Sequence, residues 1–490
     1  MVTATGLGSG LDINTLVTAI VDAERTPLIA RVDAKKANID NLVSGYGSLQ
    51  TAMAAVRDSV AKLADATQLN ATSATSSQAS AVSLTADSTA QIGTYSVSVS
   101  QLAQPQSLIS GNFSAATDVV GSGTLTIGVG TPSYNASPNE TTYASFNQRT
   151  SVSITIAANS TLADVRDAIN AANAGVNASI LQDGSNYKLM INGDSAGLGN
   201  ALSLTVSGDS SGTDTDSSGL SQLAFDASTA NLTQTVAPQD ALLSLNGLSV
   251  TSSSNTVTNV VDGVSLTLLS TTSSNATVSV SRDTAAITGL VDDFVSAYNT
   301  YVGSQKSLTK YDATTGESGF LQGDAMARTM ISQIRALISD EIGGLTGNIS
   351  VLSDLGISVE ADGSLKINAT TLDTAVRTNF DSVQKFFVGE TVSGSAVTGF
   401  AGQIDTLLDS FLDSDGLILT KLSSLDDKLK AVEEDRLLYN QRMESLEARY
   451  LRQFNAMDSL IGELTSTGDM LKSQLDALPG YQNLRQSGNR

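Results

Sequence analysis

Two stretches at opposite ends of the chain carry apolar residues at alternating spacings of three and four. Near the N-terminus these are Ile39, Leu42, Tyr46, Leu49, Met53, Val56, Val60 and Leu63, all apolar. Near the C-terminus they are Leu422, Leu425, Leu429, Val432, Arg436, Tyr439, Met443, Leu446, Tyr450, Gln453, Met457, Leu460 and Leu464, of which all but Arg436 and Gln453 are apolar. Such a stripe stays on one face of a helix and cannot be left in water. The alternatives are a coiled coil and long helices packed in a bundle. The first is the reading adopted, with the two ends pairing as a stalk. Arg436 and Gln453 then set register at some cost in stability. Arg436 either meets an acid across the coil or snorkels to water. Residues 417–464 would span about 70 Å.

Local signals extend this picture. Asp12 is a candidate N-cap, and Ile13, Leu16, Val17 and Ile20 form one apolar face. Thr26-Pro27 is expected to stop that helix and start the next, since proline favours a first helical turn. Gly45 and Gly47 mark a bend or a close helix contact. From residue 70 to 283 the pattern changes to short alternating runs, as in Thr94–Ser100, Ser151–Ile156 and Asp262–Leu268, which predict half-buried strands. Within them, Ser160–Gly175 reads as a helix followed by strands at Ala178–Leu181 and Tyr187–Ile191, with a turn at Asp183-Gly184. In the last third, Ile287, Leu290, Val291, Phe294, Val295 and Tyr298 predict one amphipathic helix. Met330, Ile334 and Ile338 predict another. A single hairpin is expected around Asp362-Gly363, followed by helix over Thr371–Val388. The expected fold is multidomain α+β. Both chain ends form a helical coiled-coil stalk, with the β-rich middle inserted between them and looped out at one tip of a rod.

Composition narrows the chemistry. The 490 residues, enough for about three domains, include no Cys, His or Trp. This removes disulfides, thiol nucleophiles, Cys/His metal sites and Ser-His-Asp mechanisms. The net charge is −22, and only Arg149, Arg166 and Lys188 are basic between Ala71 and Ser281. Nucleic acid and anionic membranes are disfavoured as partners, because both reward clustered cations. Ser and Thr number 67 and 52, a usage typical of extracellular β-rich assembly proteins. Residues 1–10 lack the basic and apolar regions of a cleaved signal peptide, and no run suits a membrane span. Export without a cleaved signal is therefore expected.

Candidate chemical sites are weak. Asp209, Asp214 and Asp216 lie in the polar loop from Gly208 to Gly219, but their spacing fails the EF-hand pattern, so a solvated loop is expected. Asp292-Asp293 and Asp426-Asp427 are neighbours on helices and diverge around the axis, which disfavours a two-carboxylate hydrolase. Gly6, Gly8 and Gly10 lack the preceding strand and following Lys of a phosphate loop. No catalytic, cofactor-binding or metal-binding residues are assigned.

Four stretches together resemble the bacterial flagellar cap family, also called hook-associated protein 2. They are Gly6–Pro27 (GLGSGLDINTLVTAIVDAERTP), Thr155–Ile191, Phe294–Asp324 (FVSAYN, then LTKYDATTGESGFLQGD), and Leu352–Phe387 with Arg449–Leu471. Of these, Thr155–Ile191 is similar to the inserted motif shared by flagellins and hook-associated chains. The resemblance implies that the β-rich middle is two β-rich head domains, and so four segments: a terminal one (1–40 and 465–490), a coiled-coil leg (41–70 and 284–464), one β-rich head domain (71–108 and 236–283) and a second containing the inserted motif (109–235). It implies a homo-oligomer, a pentamer on the filament, at the distal tip of the flagellum. There it would promote insertion of flagellin and prevent its loss. The implied partners are flagellin, the flagellar export apparatus, an export chaperone and the hook–filament junction proteins. Surface adhesion would be an additional role. The alternatives are a flagellin-like filament subunit and a secreted adhesin or lectin.

Overall fold

The computed structural model describes residues 10–134 and 143–477. They fall into two compact units. One takes the described residues up to Ala66 and from Thr288 onward; the other is Thr67–Ile287.

Helix α1 (Ile13–Ala64) starts where expected: the Asp12 carboxylate accepts from the Thr15 N–H at 3.1 Å. It does not stop at Thr26-Pro27. Pro27 lies inside the helix and is exposed, so its missing N–H leaves the unpaired carbonyl one turn back within reach of water. The Thr26 hydroxyl bonds back to the Asp22 carbonyl at 2.7 Å instead of capping a new helix. Apolar side chains on both sides of the proline, Val17, Val21 and Val32, are buried and hold the axis together. At Gly45 a Cβ would come within 2.9 Å of the Leu321 side chain, so this glycine permits a close approach. Nothing lies within 4 Å of the corresponding position at Gly47. A single turn, α2 (Ala66–Leu69), follows.

The middle unit contains strands β1 (Thr72–Ser76), β2 (Val82–Ala86), β3 (Gly93–Gln101), β4 (Ser107–Ile109), β5 (Val119–Ser133) and β6 (Ser145–Thr161), then helix α3 (Leu162–Ala171). Next come β7 (Val176–Asp183), β8 (Asn186–Gly193), β9 (Ala201–Ser207), β10 (Thr233–Val236), β11 (Ala241–Leu245), β12 (Leu248–Ser252), β13 (Thr256–Val261), β14 (Val264–Leu268) and β15 (Ala276–Arg282). All pairings are antiparallel. One core joins the sheets ordered β1-β15-β3-β11-β12 and β13-β14-β2 through Val97, Val99, Leu243, Leu266 and Val278. A second joins β6-β5-β9 and β10-β4-β8-β7 with α3 through Leu108, Leu125, Ile127, Ile169 and Leu189. Inward residues alternate along the strands, the period-two pattern of half-buried sheets. Thr161 and Asp164 cap α3 reciprocally. At the β11–β12 turn, Asn246 and Gly247 both have positive φ, which suits a tight hairpin.

The first unit resumes along α4 (Thr284–Thr309) and α5 (Ala325–Ser339). Strands β16 (Ile357–Val359) and β17 (Leu365–Ile367) form the expected hairpin at Asp362-Gly363. The helix expected over Thr371–Val388 is two, α6 (Ala369–Thr378) and α7 (Phe380–Val388), broken at Asn379 with φ −129° and ψ 33°. The break lets Leu372 and Val376 face inward from one helix and Phe386 and Phe387 from the other. The hairpin at Asp362-Gly363 is not the only one here: β18 (Gly389–Val392) and β19 (Ser395–Thr398) form a second. Helices α8 (Phe400–Leu412) and α9 (Leu417–Asp476) complete the unit. At 60 residues, α9 is about 90 Å long.

Aromatic side chains concentrate in this unit. Phe400 stacks on Phe386 at 5.4 Å and meets Phe294 edge-on at 5.5 Å, and Tyr298 lies 5.9 Å from Tyr301. Tyr301 is 1% exposed, and its hydroxyl has no hydrogen-bond partner among the described residues. Burial pushes this phenol well above its ordinary pKa. Removing an unsatisfied polar atom while keeping the ring should not weaken the core. Tyr301→Phe is therefore expected to unfold at the same or higher denaturant concentration, with a gain of up to about 1 kcal/mol. A loss above that size in a urea titration would show that the hydroxyl is satisfied in solution.

Candidate assembly surface

The pairing of α1 with α9 is antiparallel and its register is readable from polar contacts. Lys421 sits over the Tyr46 ring at 5.6 Å, Arg436 meets Asp33 at 3.4 Å, Lys35 meets Asp435 at 3.4 Å, and Arg25 donates to Asn440 at 3.1 Å. Arg436 thus pairs across the helices. Farther along the same contact Ile13, Val17, Val21 and Met443 are buried, flanked by Leu28, Leu446, Tyr450, Leu451 and Phe454.

This register places the two sequence seams differently. Tyr46, Leu49, Met53, Val56, Val60 and Leu63 are all at most 2% exposed and Ile39 is buried, while Leu42 is half-buried. Beyond Leu49 the register would call for residues before Leu417, where α9 has not begun. There α1 packs on α8 and α7 instead, with Arg57 paired to Asp409 of α8 at 3.3 Å, while Lys62 meets Asp293 of α4 at 3.7 Å. That half of the first seam is the core of a bundle and not one side of a two-stranded coil. In α9, Leu425, Val432 and Met443 are buried, and Leu422, Leu429, Tyr439, Leu446 and Tyr450 are half-buried. Gln453 is exposed, as are Met457, Leu460 and Leu464 at 46, 56 and 63%. The register explains the exposure of Met457, Leu460 and Leu464: α1 begins at Ile13, which faces about residue 454, so α9 runs on past the start of α1. Gly6 and Gly8 lie outside the described residues. Val21, Leu28 and Val32 belong to the contact but fall outside both sequence seams. They sit on either side of Pro27, where the sequence alone predicts a helix end.

One polar cluster locks the junction of α1, α5 and α9. The fully buried Tyr46 donates its hydroxyl to Asp324 at 2.6 Å. Asp324 also caps α5 by accepting from the Ala327 N–H at 3.0 Å, and lies 3.7 Å from Lys421. Partial burial opposes ionisation of Asp324. The Tyr46 hydroxyl, the backbone N–H groups and Lys421 outweigh it, so the carboxyl lies below its ordinary pKa. Burial and the neighbouring carboxylate push the Tyr46 phenol up.

The acids of the middle unit serve structure. Asp209 is buried and accepts from the Ser211 and Ser221 N–H groups at 2.9 and 2.6 Å, while Asp214 accepts from the Asp209 N–H. Asp216 accepts from the Thr213 and Ser218 N–H groups. The loop is pinned by its own carboxylates and is not merely solvated. Among the described residues no group of three or more acids is arranged to hold a metal ion. Asp426 and Asp427 both turn to Lys430.

Comparison with known proteins agrees along the chain. Family models for the N-terminus and C-terminus of flagellar hook-associated protein 2 match residues 9–106 and 238–466, and one for the flagellin hook IN motif matches residues 124–195. The chain is 30% identical to the A-type flagellar hook-associated protein 2 of Pseudomonas aeruginosa, over 98% of each chain. It is also 30% identical to flagellar hook-associated protein 2 of Escherichia coli K12, over 97% of this chain and 98% of that one. The crystal structure of the D1-D2-D3 domains of the flagellar cap protein FliD from Escherichia coli aligns with a TM-score of 0.64 at 30% identity, covering 78% of this chain and 99% of that one. The chain belongs to the flagellar hook-associated protein 2 family. A flagellin-like subunit and an adhesin or lectin are not favoured by these likenesses.

The cluster at Asp324 gives a pH test. Its folded pKa is depressed, so its stabilisation is present above about pH 4, the unfolded value, and is lost as pH falls through the folded value. Asp324→Asn keeps an acceptor for Tyr46 and Ala327 but removes the charge. The variant should be less stable by about 1–2 kcal/mol at pH 7. The gap should narrow below pH 4 in urea titrations, and a pH-independent gap would refute the charge assignment.

Proposed function

We propose that this chain is the capping subunit at the distal tip of a bacterial flagellar filament, where a homo-oligomer, a pentamer on the filament, closes the lumen and promotes insertion of exported flagellin. The observation that carries this reading is the near full-length likeness to hook-associated protein 2, combined with helices from both chain ends buried against each other in one unit. In the proposed division, segments 41–70 and 284–464 act as the leg. Segments 1–40 and 465–490 extend it, and 71–108 with 236–283 and 109–235 form the plate. The residues of the two seams act as packing positions within and between copies.

The mechanism needs no bound cofactor. Legs seated in gaps at the filament tip would be displaced as flagellin folds in the enclosed space, and flagellin packing would drive the cap forward. The sequence offers no Walker-type phosphate loop for a nucleotide. Delivery would be through the flagellar export apparatus with an export chaperone, after the hook–filament junction proteins are in place. Among the described residues no helix is long and apolar enough to cross a membrane, and nucleic acid has no part in this reading.

The test is flagellin location after deletion of the gene. Culture medium and cells are separated, and soluble flagellin and attached filaments are assayed. Abundant flagellin in the medium with few filaments is expected, because export continues while tip assembly fails. Normal filaments with unchanged flagellin would overturn the reading.

A further inference from the structure

The chain is strongly acidic, so two guanidinium groups bordering one groove are a candidate site for a carboxylate. Arg328 and Arg335 lie seven residues apart on α5, and so on one face about 10 Å apart along the axis. Both are exposed, and neither forms an ion pair among the described residues. The Arg335 guanidinium donates to the Gln305 side chain at 3.2 Å. Together they border a groove of about 400 Å³ between α4 and α5, with Gln305 and Thr309 on one wall and Leu321 and Ile331 in its floor. The adjacent Phe320 is 48% exposed. Arg335 also borders a hollow of about 250 Å³ lined by Glu360 and Asp362, where Asp362 is taken by Lys306 at 2.6 Å. The groove thus joins an apolar floor to guanidinium groups available for a carboxylate.

The complementary shape is on the outer face of α9. Leu437 and Leu438 are 58 and 62% exposed in the middle of a 60-residue helix. One turn before them stand Glu433 and Glu434, both exposed and without an ion pair among the described residues. Glu434 and Leu438 share a helix face, as do Glu433 and Leu437. Each pair presents a carboxylate one turn from an uncovered leucine. This matches a groove in which a guanidinium stands one turn from Ile331.

We infer that the α4–α5 groove of one copy receives the Glu433–Leu438 turn of α9 from a second copy. Glu434 pairs with Arg335 or Arg328, and Leu438 covers the floor at Leu321 and Ile331. The contact joins two different surfaces, so it is head-to-tail and closes into a ring when the rotation between copies allows. This rests on the oligomeric cap proposed above and names the surfaces that build it. A charge-assisted contact on an exposed face is also salt-dependent, unlike the apolar α1–α9 seam.

Charge exchange in the full chain tests it. Arg335→Glu and Glu434→Arg should each weaken self-association at least tenfold in low-salt sedimentation, and the double variant should return to within about threefold of the parent. Unchanged association in both single variants, or a double variant weaker than either, would overturn the interface. A second measurement uses the absence of cysteine in the chain. Ser332→Cys combined with Leu438→Cys, expressed in a strain lacking the native gene, should give covalent multimers beyond the dimer on non-reducing gels of isolated filaments. Each single-cysteine variant should not. Filaments assembled normally with no such multimers would refute this interface and leave the cap reading standing. Failure of the cap reading would show instead as normal filaments in the deletion strain.

Discussion

The antiparallel register between the two chain ends is the constraint on which the helical unit depends. Apolar stripes alone do not choose it: sliding one helix by seven residues would still set leucines and valines against each other. The polar pairs make the choice. A slip would part Arg436 from Asp33, move Lys421 off Tyr46, and leave Asp324 without the cation that offsets its partial burial. Exposed ion pairs add little stability. Their effect here is to penalise wrong registers, which is a matter of specificity more than strength.

From that register much else follows. Because α9 begins at Leu417, the last third of α1 has no α9 beside it; it packs on α8 and α7, and Met53, Val60 and Leu63 are buried there. At the other end α9 runs on past the start of α1 at Ile13, and Met457, Leu460 and Leu464 are exposed. The register also joins residues about 400 positions apart, a costly loop to close in a disordered chain. The middle unit offsets that cost in its own topology. Its two cores are internal, and its first and last strands, β1 and β15, are direct neighbours with Thr72 opposite Arg282. Once folded, it acts as a short link between the segments it separates.

The sequence is most legible where one periodicity runs uninterrupted. Both seams, the α3 helix and the Asp362-Gly363 hairpin can be placed because spacing and turn chemistry agree locally. Thr26-Pro27 misleads for a physical reason: proline removes one hydrogen bond, but exposure and tertiary packing on both flanks keep the helix continuous. The break at Asn379 is hidden because a single residue between two short amphipathic helices leaves the apolar spacing nearly intact. The β18–β19 hairpin, with Ser393 and Gly394 at its turn, lacks an Asn-Gly or Asp-Gly signal. The Tyr46–Asp324–Lys421 cluster joins residues from three distant segments, and nothing in local spacing could bring them together. The role of Asp209 is hidden for the same reason, since a buried loop anchor and a solvated acid look alike in sequence.

The division between apolar and charged contacts bears on what such a subunit can do. The seam inside one copy buries Val17, Val21 and Met443, and each large side chain so buried contributes about 1.5–3 kcal/mol. In the proposed role, a leg built this way would stay folded while it changes neighbours. Contacts between copies must do the opposite if a cap is to step along a growing tip, because an interface as apolar as the seam would not release. A surface of guanidinium and carboxylate groups around a single leucine meets that need. Its attraction falls with salt and with small displacement, and its charges remain soluble when it opens. The acidic composition then has a structural consequence. Arg328 and Arg335, which form no ion pair among the described residues, then become available to a carboxylate of a second copy.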